Sequence, residues 1–226
     1  MTQATINDDP ARPCPVCRNN RTTRFIEVDA RLYHRCPRCR ATFLDPDQLP
    51  TAAQERAHYL THENDPSDTR YRAFLERLAA PMQARLPAAA HGLDFGCGPG
   101  PALAIMLREA GHTVDVYDPF FARYPAALEK RYDFITCSEV VEHFHAPHNE
   151  FAMLDGLLRP GGWFGVMTQF QTDDARFATW HYRKDPTHVV FYRQETFVQI
   201  AQEFDWTCDC LEPNIALFRK NAGPSL

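Results

Sequence analysis

Over residues 91–226 short apolar runs alternate with segments whose apolar positions recur at helical spacing. Leu93-Asp94-Phe95, Val114-Asp115-Val116-Tyr117, Tyr132-Asp133-Phe134-Ile135-Thr136-Cys137 and Phe164-Gly165-Val166-Met167-Thr168 read as strands. Residues 101–107 read as the helix that follows the first of them. Leu157-Leu158-Arg159-Pro160-Gly161-Gly162-Trp163 reads as a helix end, a Pro-Gly-Gly turn and a strand start. This alternation predicts an α/β domain. Upstream, residues 53–60 and 71–78 carry helical spacing, separated by a polar loop with capping residues. Further upstream, residues 23–28, 32–34 and 42–44 read as short strands, the last ended by Asp45-Pro46. Four segments follow: a loose tail over 1–12, a ribbon over 13–48, a helical linker or cap over 49–90, and the α/β core over 91–226.

Cysteine spacing gives the ribbon its chemistry. Cys14 and Cys17 form one Cys-x-x-Cys, and Cys36 and Cys39 form another, with 18 residues between the pairs. Two turn-borne pairs can set four thiolates tetrahedrally around one zinc ion. The alternative, a pair of disulfides, belongs to an oxidising compartment. Four sulfur ligands leave no position for water or substrate, so the zinc is structural. It replaces a core that so short a segment cannot build. Cys97, Cys137, Cys208 and Cys210 fall in or beside predicted strands and read as small packing residues, with Cys97 and Cys137 beside the ligand pocket.

The chain has 226 residues, 44% of them apolar, enough for one α/β domain with a small appendage. Its formal charge of −5 makes it no polyanion binder as a whole. The first residues are polar and acidic, without the charged and apolar regions of a signal peptide. No apolar run reaches the ~18 residues of a membrane span. The expectation is a cytoplasmic protein.

Gly96-Cys97-Gly98-Pro99-Gly100 sits between a strand and a helix, where a glycine turn lets the backbone approach a ligand closely. It is not the spaced glycine fingerprint of dinucleotide enzymes and lacks the Lys-Ser/Thr of a phosphate loop. Asp118 ends the next strand 22 residues after Gly96, a separation at which an acid can reach a ribose hydroxyl pair. Asp94 with the glycine turn, Asp118, the third strand with Ser138-Glu139, and Pro160-Gly161-Gly162 occur in that order. Together they resemble the core of class I S-adenosylmethionine (SAM)-dependent methyltransferases. The resemblance implies SAM as cofactor and a Rossmann-like, mostly parallel sheet with an antiparallel last strand. It also implies that Asp94, Gly96, Cys97, Gly98, Gly100, Asp118, Cys137, Ser138 and Glu139 surround the cofactor. Only fourteen residues separate Asp118 from Asp133, room for one short helix. One outer strand of the family sheet is therefore expected to be missing or vestigial.

Methyl transfer from a sulfonium is an in-line displacement, so the protein mainly aligns the partners and excludes water. A base helps when the acceptor loses a proton. Glu139, Glu142 and His143 are spaced i, i+3 and i+4 and share one face if helical. The pattern resembles that of ubiquinone-pathway O-methyltransferases, where it implies a second divalent ion. A base role and a purely structural one remain open for His143. The segment 180–192 crowds Trp180, His181, Tyr182, Asp185, His188 and Tyr192 together, a composition suited to a pocket wall for an aromatic or amphipathic substrate. Asp185-Pro186-Thr187-His188 reads as a turn that aims His188 inward. His188, His143, Tyr182 and Asp185 are the catalytic candidates, while His58, His112, His145 and His148 read as surface residues. In layout the chain also resembles zinc-containing sugar C-methyltransferases, without their extra C-terminal domain.

Residues 11–44 hold eight arginines against Glu27 and Asp29, a balance of +6 that leaves −11 elsewhere. Arginines on a zinc module can bind phosphate, which would make the substrate ribosomal or transfer RNA. They can equally dock onto the acidic body or face water. A small-molecule acceptor is the leading expectation, an RNA methyltransferase the second, and a SAM-binding protein without turnover the third.

Overall fold

The structure is a computed structural model in which residues 12–61, 64–211 and 213–223 are described. Except for Arg12, the expected tail lies outside the described residues. Three strands open the chain, β1 (Thr23–Val28), β2 (Arg31–Arg35) and β3 (Thr42–Leu44). Asp29 and Ala30 join β1 to β2 with φ of 53° and 59°, both left-handed, as a two-residue hairpin turn requires. Helix α1 (Ala52–Tyr59) starts at a capping box made by Thr51 and Gln54. Helix α2 (Thr69–Gln83) starts at Asp68, whose carboxylate accepts from the Arg70 N–H.

The core alternates β4 (His91–Phe95), α3 (Ala102–Glu109), β5 (Thr113–Tyr117), β6 (Tyr132–Ser138), α4 (Pro147–Leu157) and β7 (Leu158–Met167). The two-residue strand β8 (Val190–Phe191), helix α5 (Gln194–Glu203), β9 (Trp206–Leu211) and β10 (Ile215–Lys220) complete it. The main sheet has the order β5-β4-β6-β7-β10-β9. Strands β5, β4, β6 and β7 are parallel, and β10 runs antiparallel to β7 and to β9. Among the described residues no strand lies outside β5. The segment between Asp118 and Asp133 forms a single bridge from Asp118 to Ala122 and a 3-10 turn at Pro125–Glu129, so the expected outer strand is absent among the described residues. The Pro-Gly-Gly turn sits inside β7 rather than before it. Leu158 pairs with Tyr132 and Trp163 with Phe134, so the residues between bulge outward.

Both faces of the sheet are covered, which explains the continuous apolar runs. Leu75, Leu78 and Met82 of α2 pack with Leu103 and Leu107 of α3 on one face. On the other, Phe151 of α4 and Phe197 of α5 share a cluster with Phe164 and Phe218. That cluster runs without interruption into Tyr33 and Phe43 of the ribbon. The ribbon is also joined to the core by backbone pairing: β3 pairs antiparallel with β8, Thr42 opposite Phe191 and Phe43 opposite Val190.

Candidate active site

The two Cys-x-x-Cys turns have the same construction. Arg18 N donates to Cys14 O and Arg40 N to Cys36 O, each at 3.0 Å, with both arginines left-handed at φ of 56° and 65°. All four thiols are buried and their sulfurs lie within 4.8 Å of one another. The pairs Cys14–Cys39 and Cys17–Cys36 stand 3.6 Å apart. A disulfide needs about 2.05 Å. Tetrahedral Zn–S bonds of about 2.3 Å place sulfurs roughly 3.8 Å apart, so the cluster has the size of a zinc site.

The larger site lies at the carboxyl ends of β4, β5, β6 and β7, where ligands of such sheets sit. A cavity of 770 Å³ runs there from the glycine turn to the 181–188 segment. Of the residues expected around a cofactor, Gly96, Cys97, Gly98, Asp118, Ser138 and Glu139 line it. Asp94, Gly100 and Cys137 do not. Asp94 is buried behind the turn, accepts from Thr136 Oγ1 at 2.9 Å, and burial pushes its carboxyl up to about 6. Cys137 is wholly buried in β6, and burial pushes its thiol up. Gly100 serves a close approach instead, since a Cβ there would lie 1.9 Å from the Asn64 carbonyl oxygen. Asp118 accepts from Gly98 N at 3.0 Å and from Phe120 N and Phe121 N at 2.7 and 3.0 Å, so it braces the glycine turn as well as facing the cavity.

At the other end, Asp185 Oδ1 accepts from Thr187 N, closing a turn that brings His188 into the cavity wall. His188 Nδ1 donates to Tyr182 O at 2.7 Å, and His143 Nδ1 donates to Thr187 O at 3.0 Å. Because a carbonyl can only accept, Nε2 is the nitrogen that gives up its proton when either ring is neutral. His188 Nε2 stands 3.7 Å from Asp185 Oδ2 and 4.0 Å from Glu142 Oε1. Tyr182 is buried and donates its hydroxyl to Glu142.

The charges respond to this crowding. Burial, then the nearby His188, pushes His143 down to about 3. Burial and the neighbouring Glu139 push Glu142 well up, and burial raises Glu139 to about 7. Burial alone would raise Asp185, but His188 and the Thr187 donors outweigh it and hold the carboxyl below its usual range. The expected helical face of Glu139, Glu142 and His143 does not form. Glu139 is left-handed at φ 54°, and Val141–His143 is a single 3-10 turn. The side chains that converge are Glu142, His143 and His188, with ligand atoms within 4.8 Å of one another.

Sequence reasoning missed the roof of this cavity. Glu55 and Tyr59 of α1 line it, and Tyr59 packs edge-on against His143. His145, expected at the surface, lines it too and bonds Glu55 at 3.1 Å, while His58 bonds Asp185 at 3.0 Å. Cys208 and Cys210 are half-buried on the edge strand β9, with sulfurs 3.6 Å apart. No helix among the described residues is long and apolar enough to cross a membrane.

The model of a methyltransferase-domain family matches residues 59–211. Ubiquinone biosynthesis O-methyltransferases of Klebsiella pneumoniae and Pectobacterium atrosepticum are 31% and 32% identical over 85 residues, 38% of this chain. That stretch spans 35% of those enzymes, about a third of their length. In fold the chain is similar to the 1,6-didemethyltoxoflavin-N1-methyltransferase of Burkholderia thailandensis, solved with 1,6-didemethyltoxoflavin and S-adenosylhomocysteine. The TM-score is 0.57 at 18% identity, over 85% of this chain and 96% of that one. An O-methyltransferase family protein of the same organism gives 0.51 at 17%, over 78% and 66%. With its glycine turn, its strand order and a family match over more than half of its length, the chain belongs to the methyltransferase-domain family.

Proposed function

We propose that the chain transfers the methyl group of SAM to a small-molecule acceptor whose reacting atom lies against His188. One observation carries this reading: the glycine turn and His188 face the same cavity. When bound, SAM supplies a methyl group already activated on a sulfonium. The lining residues suit such a cation, since Glu55, Asp118, Glu139, Glu150 and Asp185 face the cavity and, among the described residues, no lysine or arginine does. The glycine turn would hold the cofactor and Asp118 its ribose. An acceptor that loses a proton could pass it to His188 Nε2, with Asp185 stabilising the imidazolium as it forms. Tyr182 fixes the Glu142 carboxyl beside that ring, and Tyr59 packs edge-on against the neighbouring His143. The buried His143, pushed down to about 3, is the weaker base. The four ribbon cysteines would hold one structural zinc.

Calorimetry with S-adenosylhomocysteine tests the cofactor half. His188→Ala tests the other, leaving that affinity unchanged and lowering turnover ~10²-fold. Absent cofactor binding, or full turnover in the variant, defeats the reading.

A second reading concerns Glu142, His143 and His188, whose converging atoms fit a divalent ion. Glu142 Oε2 is buried with no hydrogen-bond partner among the described residues. If an ion is essential, a chelator inactivates the enzyme and Mg²⁺ or Zn²⁺ restores it. Full activity in chelator eliminates this version.

A further inference from the structure

Beyond Phe74, Gln169 and His181, the cavity adjoins a second chamber of 420 Å³ that these three residues also line. The two spaces differ in charge. Among the described residues the main cavity presents five carboxylates and no arginine or lysine. Among the described residues the chamber presents Arg77, Arg176 and His181 against the one acid Asp173. Asp173 is partly engaged, since its Oδ1 accepts from Ala175 N at 2.9 Å. Asp174, next in sequence, is held by Arg35 and Arg193 and does not line the chamber. Arg77 lies over the Phe74 ring, 6.0 Å from its centroid, and its hydrogen-bond partner is the neutral amide of Asn214. Among the described residues no carboxylate forms a close ion pair with it, although its charge acts on Glu139 in the main cavity. Arg176 extends from the turn before Phe177–Thr179. Trp180 and Phe170 supply apolar walls.

We propose that this chamber binds an acidic group, carboxylate or phosphate, carried by the methyl acceptor, so that Arg77 and Arg176 select anionic acceptors. The inference rests on the methyl-transfer reading for what occupies the main cavity. An acidic group on the acceptor is repelled by the acids around the cofactor end and finds guanidinium groups past Gln169. Guanidinium groups match carboxylate and phosphate oxygens in pairs. Trp180 gives the adjoining ring or chain a flat surface. The acceptor is thereby oriented with its anionic end away from the cofactor and its neutral end toward His188.

The test is a titration of the full chain, saturated with S-adenosylhomocysteine, with phenyl phosphate, phenylacetate and benzyl alcohol. Expected is that one or both anions bind about tenfold tighter than the alcohol, a preference that shrinks with salt. The tighter of the two anions identifies the acid class. Arg176→Glu, on an exposed turn, removes the preference, and Arg77→Gln weakens it, while S-adenosylhomocysteine affinity stays unchanged. If Arg77→Gln does not fold, Arg176→Glu decides alone. Equal binding of all three probes overturns the proposal, as does a preference that survives Arg176→Glu. A failure of S-adenosylhomocysteine to bind counts against the methyl-transfer reading instead, and the probes titrated on the chain alone still report on the chamber.

Discussion

Arg31, on the second ribbon strand, donates to the carbonyl oxygens of Asp185 and Pro186 at 3.4 and 3.0 Å. Those are the residues of the turn that presents His188. The same loop is gripped by the ribbon elsewhere. Asp29 pairs with the buried Arg183 at 2.7 Å, Arg35 pairs with Asp174 at 2.7 Å, and Leu44 N donates to Val189 O at 2.8 Å. Val189 N in turn donates to Glu142 O at 2.9 Å. The ribbon thus braces the loop that carries His188 from behind, and none of its described residues lines the cavity itself.

Metal extraction should therefore divide the two halves of the site. Removing zinc with a strong chelator is expected to abolish turnover while S-adenosylhomocysteine still binds. Arg31→Ala, which removes two hydrogen bonds of about 1 kcal/mol each, should raise the acceptor KM roughly five- to thirtyfold. Calorimetry and steady-state kinetics check both. Parallel loss of cofactor affinity would contradict the division.

Gly98, in the turn proposed to hold the cofactor, is left-handed at φ 64°, and its Cβ would lie 3.1 Å from the Asn64 amide nitrogen. A β-branched residue there costs roughly 1–2 kcal/mol in backbone strain alone and fills the space beside the ligand. Gly98→Val should lower S-adenosylhomocysteine affinity more than tenfold in calorimetry with an unchanged circular dichroism spectrum. Unchanged affinity would reduce the turn to a mere connection.

Asp94 links the same turn to pH. Its carboxyl rises from 3.8 to about 6 on burial, so the folded state holds the proton more tightly than the unfolded chain. Its contribution is most favourable below pH 3.8 and is lost as pH rises through about 6. Asp94→Asn keeps an acceptor for Thr136 and has no proton to lose. The difference in melting temperature, variant minus wild type, should grow as pH rises from 4 toward 7 in ligand-free protein. A difference independent of pH would mean that Asp94 is not held protonated by its site.

What was legible in the sequence is what short-range geometry imprints. The glycine turn must follow its strand directly, the Cys-x-x-Cys pairs must each fit one tight turn, and the fourteen-residue gap after Asp118 leaves no space for another strand. The acceptor end was only half legible. The turn that aims His188 is local and left its Asp-Pro-Thr mark, but the ribbon's hold on it comes from pairing Thr42 and Phe43 with Val190 and Phe191, far away in sequence. The left-handed Glu139 broke the helical spacing that put it with His143. Glu55, on a helix with little apolar patterning, is buried beside His145, ninety positions away, and nothing local marks either residue.

The ribbon's arginines are partly accounted for inside the molecule. Arg18 bonds Asn149, Arg31 the 185–186 carbonyls and Arg35 Asp174, which leaves fewer of them for a polyanion. Filter binding of total RNA should show no tight, salt-sensitive complex. Four phosphate contacts would give a log-log salt slope near about −3, and micromolar binding with such a slope would restore the RNA reading.

Transfer of label from methyl-labelled SAM reports both the acceptor class and the part played by His188. Wild type and His188→Ala are incubated with cell extract that is then split into small-molecule, RNA and protein fractions. Expected is label in the small-molecule fraction with wild type and ~10²-fold less with His188→Ala. Label confined to RNA or protein, or equal transfer by both forms, would contradict a small-molecule methyltransferase that works through His188.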